Sequence, residues 1–178
     1  ELSTLGGWVA SRSSGQQSLH YGRIEQLFAG GRIETLNGTL DIPTIPASSA
    51  GPDIREMIMG SEGRFGVITE ATVRVSRRPE HEEFHVYFFP DWAKAKLAVR
   101  ELVQQKLPLS MVRLSNAEET RTQLILAGHA FAIAGLEKVL NWRGAGAGKC
   151  MLTIGFTGSL PRIKFAQAEV ARILKSFD

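Results

Sequence analysis

Two short stretches hold the residue types that could do chemistry. "STLGGWVASRSSG" (3–15) consists mainly of small and hydroxyl-bearing residues: Ser3, Thr4, Gly6, Gly7, Ser11, Ser13, Ser14 and Gly15. "GSEGRFG" (60–66) sets three glycines about Glu62, adds Arg64 and Phe65, and runs straight into "VITEATVRV". Such stretches let backbone N–H groups and hydroxyls crowd against phosphate oxygens or a planar ring. Gly63 and Gly66 each remove a Cβ where a ligand could press on the backbone. Each stretch also has a plainer reading. The first would be a surface loop, although the embedded Trp8 argues for order. The second would be a helix stop followed by a β-bulge, which accounts for Gly60 and Gly66 but not for Gly63.

The elements that must position these stretches are legible nearby. Asn37–Gly38 lies between the apolar-rich runs 32–36 and 39–42, which predicts a hairpin with a type I′ turn. "GPDIREMIMG" (51–60) predicts a short helix with Pro52 in its first turn, Gly60 as its left-handed stop, and Ile54, Met57 and Ile58 on one face. Residues 67–75 alternate as a half-buried strand.

Composition shifts near residue 80. Residues 1–80 hold 11 of the 18 glycines, 8 Arg, no Lys and 9 acids, a net charge of −1. Residues 81–178 hold 7 glycines, 13 Lys plus Arg and 9 acids, a net charge of +4. "SRRPEH" (76–81) stands at the change and reads as a connection between two lobes. Beyond it, strand and helix alternate. Strands are predicted at 84–89, 110–115 and 150–156. Helices are predicted at 91–106, 130–142 and 161–177, with a further one capped by Ser115 and Glu118 and ended by Gly128. Asp91 is the expected N-cap of the first of these, with Trp92, Ala95, Val99, Leu102 and Val103 as its apolar stripe. The fold class is α+β, with helices packed on a small sheet.

The bulk numbers exclude several classes. The chain has 178 residues, 43% hydrophobic and 22% charged, which suits a globular domain or two lobes. A net charge of +3 without any basic block gives no support for nucleic-acid binding. No apolar run reaches membrane-spanning length and no signal peptide is visible, so no stable membrane insertion is expected. The lone Cys150 excludes an internal disulfide and suits a reducing, cytoplasmic setting. It opens an apolar segment and reads as a buried thiol.

Other candidate motifs fall short. "GAGAGKC" (144–150) has three residues where a phosphate loop has four, Cys150 in place of Ser or Thr, and a strand after it. His20, His81, His85 and His129 show no metal-ligand spacing, so no metal is expected. Arg113 in "VRLSN" closes a predicted strand just before a capped helix. By itself it reads as a surface or inter-lobe salt-bridge residue.

"STLGGWVASRSSGQQSLHYGRIEQL" and "GPDIREMIMGSEGRFGVITEATVRV" resemble the flavin-binding half of the vanillyl-alcohol-oxidase-type FAD-linked oxidases. Within these they are most similar to the alkyldihydroxyacetonephosphate synthases and their bacterial relatives. The resemblance covers residues 1–78 and continues more loosely through "LPLSMVRLSNAEE" (107–119). It implies the second subdomain of a PCMH-type FAD-binding domain at 1–78, followed at 79–178 by part of a ferredoxin-like cap or substrate domain. It implies FAD contacts at three places. The first is Glu1, Leu2, Ser3 and Thr4; the second is Ser11, Arg12, Ser13 and Ser14. The third is Glu62, Gly63, Arg64, Phe65, Gly66, Val67 and Ile68. Arg64 and Phe65 stand where the family usually has Thr-Leu; the Arg would pair with phosphate or point away. Near Arg113 the family's cap approaches the flavin, which makes it the candidate substrate contact.

The resemblance also implies that the family's pyrophosphate turn lies upstream of Glu1 and its His- and Tyr-bearing elements beyond Asp178. The chain therefore reads as a piece of a longer enzyme, inactive and weakly FAD-binding by itself, with catalytic acid and base groups outside it. Two chemistries follow from the resemblance. In the synthase branch the flavin carries the dihydroxyacetone-phosphate part while a fatty acid leaves and a fatty alcohol enters. In the oxidase branch it takes a hydride from a hydroxy acid or alcohol. The substrate is a small molecule in both. Apolar surface around residues 1–15 would favour self-association into a homo-oligomer. The alternative is a free-standing ferredoxin-like binding or dimerisation module at 81–178, without catalytic activity, tethered by the Gly-rich half.

Overall fold

The computed structural model describes residues 3–45, 49–128, 133, 135, 138, 140, 142 and 144–177. The chain divides into two compact units, Glu1–Arg78 and Pro79–Asp178.

The first unit opens with three short helices, α1 (Leu5–Ala10), α2 (Ser18–Tyr21) and α3 (Ile24–Leu27). Strands β1 (Phe28–Thr35) and β2 (Gly38–Ile42), helix α4 (Ile54–Ile58) and strand β3 (Val67–Val73) follow. The strands form an antiparallel sheet in the order β2-β1-β3. Its core is Val9, Ile24, Phe28, Ile33, Ile42, Ile58 and Met59. Phe28 and Ile33 both reach that core despite their odd spacing, because β1 carries one extra residue, Ala29, between the pairs Phe28–Val73 and Gly30–Thr72.

Two expectations for this unit need correction. The hairpin forms, but its loop is Leu36–Asn37, since Thr35 pairs directly with Gly38. Of the turn residues only Gly38 has a positive φ, at 119°, so this is not a type I′ turn. The Thr35 hydroxyl, which donates to the Gly38 carbonyl at 2.7 Å, fixes the shifted geometry. Helix α4 is shorter than expected, because the Asp53 side chain accepts from the Arg55 N–H and starts the helix there, leaving Pro52 outside. Gly60 takes the expected left-handed conformation, with φ 77°. Of the expected apolar face only Ile58 is buried.

The second unit runs β4 (His81–Phe89), α5 (Trp92–Gln104), β5 (Leu109–Ser115), α6 (Ala117–Leu126), β6 (Cys150–Gly158) and α7 (Leu160–Leu174). A 3₁₀ turn at Lys175–Phe177 follows. The sheet order is β4-β6-β5, and both pairings are antiparallel. β4 and β5 are therefore parallel, joined through α5, with β6 inserted between them. This is the split βαβ arrangement of ferredoxin-like folds. Helices α5 and α7 bury one sheet face through Ala95, Ala98, Leu102, Leu152, Ile154, Phe156, Ile163 and Val170.

Asp91 caps α5 as expected, accepting from the Lys94 N–H at 2.9 Å. The stripe is displaced, however: Ala98 is buried, while Trp92 and Val103 are 47% and 55% exposed. Alanines let the helix sit close to the sheet, which turns the larger side chains outward. The cap of α6 is Asn116, whose side chain accepts from the Glu119 N–H, not Ser115. Ser115 is buried and accepts from Gln123 instead. The expected helix at 130–142 falls mostly on residues outside those described, as does His129. Among the described residues no helix is long and apolar enough to cross a membrane.

Candidate functional site

The site is built first from the hydroxyl-rich stretch. Thr4 caps α1, its Oγ1 accepting from the Gly7 N–H at 3.0 Å. The Ser11 hydroxyl donates to the Gly7 carbonyl at 2.8 Å and shares a hydrogen bond of 2.7 Å with Ser13. These three hydroxyls shape the backbone. Among the described residues the Ser3 and Ser14 hydroxyls have no protein partner. The Gly15 N–H donates to the Ser18 hydroxyl at 2.8 Å and so folds α2 back. Trp8, Ser13, Ser14, Gly15, Ser18, Gly22, Ile24 and Leu27 line an open cavity of about 430 Å³. No carboxylate stands in that lining. Sequence reasoning missed Trp8, Ser18, Gly22, Ile24 and Leu27 as lining residues. The glycines at 15 and 22 that bracket Ser18 were the available signal.

The second stretch folds against the first. The Gly60 N–H donates to the Val9 carbonyl at 3.1 Å, and the Glu62 N–H donates to the Ala10 carbonyl at 3.0 Å. A Cβ on Gly6 would lie 3.6 Å from Ile68. Residues far apart in the chain thus form one continuous wall.

That wall differs from the expected row of free amides. The N–H groups of Gly60, Glu62, Arg64 and Gly66 all donate to protein carbonyls. Among the described residues those of Gly63 and Phe65 have no protein acceptor. Gly63 has φ 83° with no atom within 4 Å of a built Cβ, so this position keeps open space. Gly66 is a correction. Its missing Cβ makes room for the Glu34 carbonyl of β1, not for a ligand. Glu62, with φ 51°, and Arg12, with φ 53°, are left-handed non-glycine residues, one from each stretch. Strain of this kind clusters where the surroundings fix a loop.

The remaining expected contacts are placed as follows. Glu62, Arg64, Phe65 and Val67 are exposed, and among the described residues the Arg64 guanidinium has no acidic partner. Ile68 packs against the core of the first unit. The Arg12 guanidinium is held by Glu25 at 2.7 Å and Glu56 at 2.5 Å. The hydrogen bond from Arg12 holds the Glu25 carboxyl below the ordinary carboxylate range. Glu1 and Leu2 lie outside the described residues.

Arg113 belongs to the second unit. It stands opposite Thr153 on the sheet face turned away from α5 and α7. Its guanidinium bonds Glu119 of α6 at 2.5 Å. Glu119 is held below the usual carboxylate range by that bond first, and also by Ser115 and Gln123. Among the described residues no group of His, Cys, Asp and Glu could hold a metal ion.

Comparison with known proteins fits this architecture. Residues 78–178 match the family of FAD linked oxidases, C-terminal domain. The alkyldihydroxyacetonephosphate synthase of Dictyostelium discoideum is 35% identical over 98% of this chain and 30% of its own length. The FAD-linked oxidoreductase YgcU of Escherichia coli is 38% identical over 66% of this chain and 25% of its own. A solved structure of alkyldihydroxyacetonephosphate synthase superposes with a TM-score of 0.85 at 34% identity, covering 99% of this chain and 32% of that one.

The second unit is thus the C-terminal domain type of a flavoenzyme. The chain belongs to the FAD linked oxidases, a family of enzymes whose cofactor is FAD. It spans about a third of the length of the curated relatives that it matches along nearly its whole length.

Proposed function

We propose that this chain is part of an FAD-dependent enzyme similar to alkyldihydroxyacetonephosphate synthase. In this reading residues 1–78 belong to a PCMH-type FAD-binding domain and residues 79–178 to a cap or substrate domain. The observation that carries it is the meeting of the two Gly- and Ser-rich stretches, the first of which lines a cavity free of carboxylates.

The residues present fit a flavin dinucleotide. The Ser3 and Ser14 hydroxyls and the Gly63 and Phe65 amides are donors without protein acceptors among the described residues, as phosphate and ring carbonyl oxygens require. Arg64 adds an exposed positive charge between the Gly63 and Phe65 amides. Trp8 offers a half-exposed aromatic wall. When bound, FAD supplies the redox or carbon-carrying chemistry, while the protein supplies position and electrostatics. Arg113 presents a planar fork to a phosphate or carboxylate of the substrate, with Glu119 fixing its direction until the anion arrives. A glycerone-phosphate ester or a hydroxy acid both carry such a group.

Titration of the chain with FAD, followed by quenching of flavin fluorescence, tests this reading. Weak saturable binding is expected, lost on Ser14→Glu, which puts a negative charge on the cavity wall. A Ser14→Glu variant that binds FAD as the parent does, or a parent without binding, would overturn it.

A further inference from the structure

We propose that Arg12 is a positioning residue for the FAD-contacting loop at 60–66 and that its guanidinium does not touch the cofactor. The inference rests on the flavin reading above and refines it, since a cationic side chain in a cofactor-contacting stretch would ordinarily be assigned to phosphate.

Charge argues first. The Arg12 fork spans two elements, with Nε donating to Glu25 of α3 at 2.7 Å and Nη2 to Glu56 of α4 at 2.5 Å. The two carboxylates outnumber the single cation; Arg23, at 3.4 Å from Glu25, brings the cluster to neutrality, and Arg55 beside Glu56 is already offset by Asp53 at 2.7 Å. A neutral cluster offers no surplus attraction to a diphosphate. A phosphate reaching Arg12 would also have to approach two carboxylates.

Packing argues next. A Cβ on Gly60 would lie 3.4 Å from the Arg12 Cβ and 3.7 Å from its Cδ, so the loop rests on the Arg12 stem. The loop amides of Gly60 and Glu62 bind the last carbonyls of α1, those of Val9 and Ala10, three and two residues before Arg12. Glu56 belongs to α4, which runs through Met59 directly into this loop. The side chain thereby closes a ring that joins the end of α1, α3, α4 and the loop. The left-handed backbone at Arg12 and Glu62 is tolerated because this ring over-determines both residues. Lys in place of Arg cannot reproduce a fork on two carboxylates.

The test compares FAD affinity in the full chain for Glu25→Gln, Glu56→Gln and Arg12→Lys, with amide exchange measured alongside. Were Arg12 a phosphate contact, either Gln variant would free the fork, remove a negative charge and tighten FAD binding. The positioning role predicts the opposite, a loss of about fivefold or more in each single variant. It also predicts faster exchange at the Gly60 and Glu62 amides while β6 stays protected. Equal or tighter binding in either Gln variant overturns the proposal while leaving the flavin reading intact. A parent chain that binds no FAD overturns both.

Discussion

The backbone of Gly66 packs against the carbonyl of Glu34 on β1, so closely that a Cβ at residue 66 would overlap that oxygen and stand 3.0 Å from the Ile33 Cγ2. Gly63, three residues earlier, has open space around it. The two glycines of one motif therefore serve different ends. Gly66→Ala must displace a strand and is expected to cost about 3 kcal/mol. Gly63→Ala meets only the left-handed backbone penalty, about 1 kcal/mol. Denaturant unfolding of both variants checks this, and equal losses would refute the distinction.

Ser110 and Thr157 carry buried hydroxyls without hydrogen-bond partners among the described residues. Ser110 sits at the β-bulge between Leu109 and Met111, with its Oγ 2.5 Å from where a Cβ on Gly155 would stand. A buried hydroxyl that makes no bond contributes only its desolvation penalty. Ser110→Ala and Thr157→Val are each expected to raise stability by up to about 1 kcal/mol. A clear loss of melting temperature in either would show that the hydroxyl is bonded after all.

Cys150 is 1% exposed, and burial pushes its thiol above the ordinary cysteine range, with Asp91 adding to the shift. The thiolate is the reactive form. The folded chain should therefore resist labelling by a thiol reagent at neutral pH and label at once in denaturant. Labelling of the native protein at the rate of a free thiol would contradict its burial.

Glu119 is an acid whose folded pKa lies below its unfolded value, chiefly through the hydrogen bond from Arg113. Its contribution to stability is present above the ordinary carboxylate range and is lost as pH falls through the folded value. Arg113→Gln removes that contribution. The melting temperatures of parent and variant should differ most near neutral pH and converge in acid. A gap that stays constant down to acid pH would place the stabilising effect of Arg113 elsewhere.

The lobe boundary, the order of the described strands and helices beyond it, the Asp91 cap and the left-handed Gly60 could be read from the sequence, because composition, helical period and cap chemistry are local. The two motif stretches were also visible by residue type. Tertiary contact alone decided what each residue in them does. In the sequence Arg12 is one residue of a polar stretch, and the structure gives its fork to Glu25 and Glu56. Gly66 looked like a ligand cradle until the Glu34 carbonyl filled the space. Ser115 looked like a cap until it was buried against Gln123. The choice of partner depends on distances between segments far apart in the chain, and a one-dimensional pattern carries the donors and acceptors without saying which of them meet.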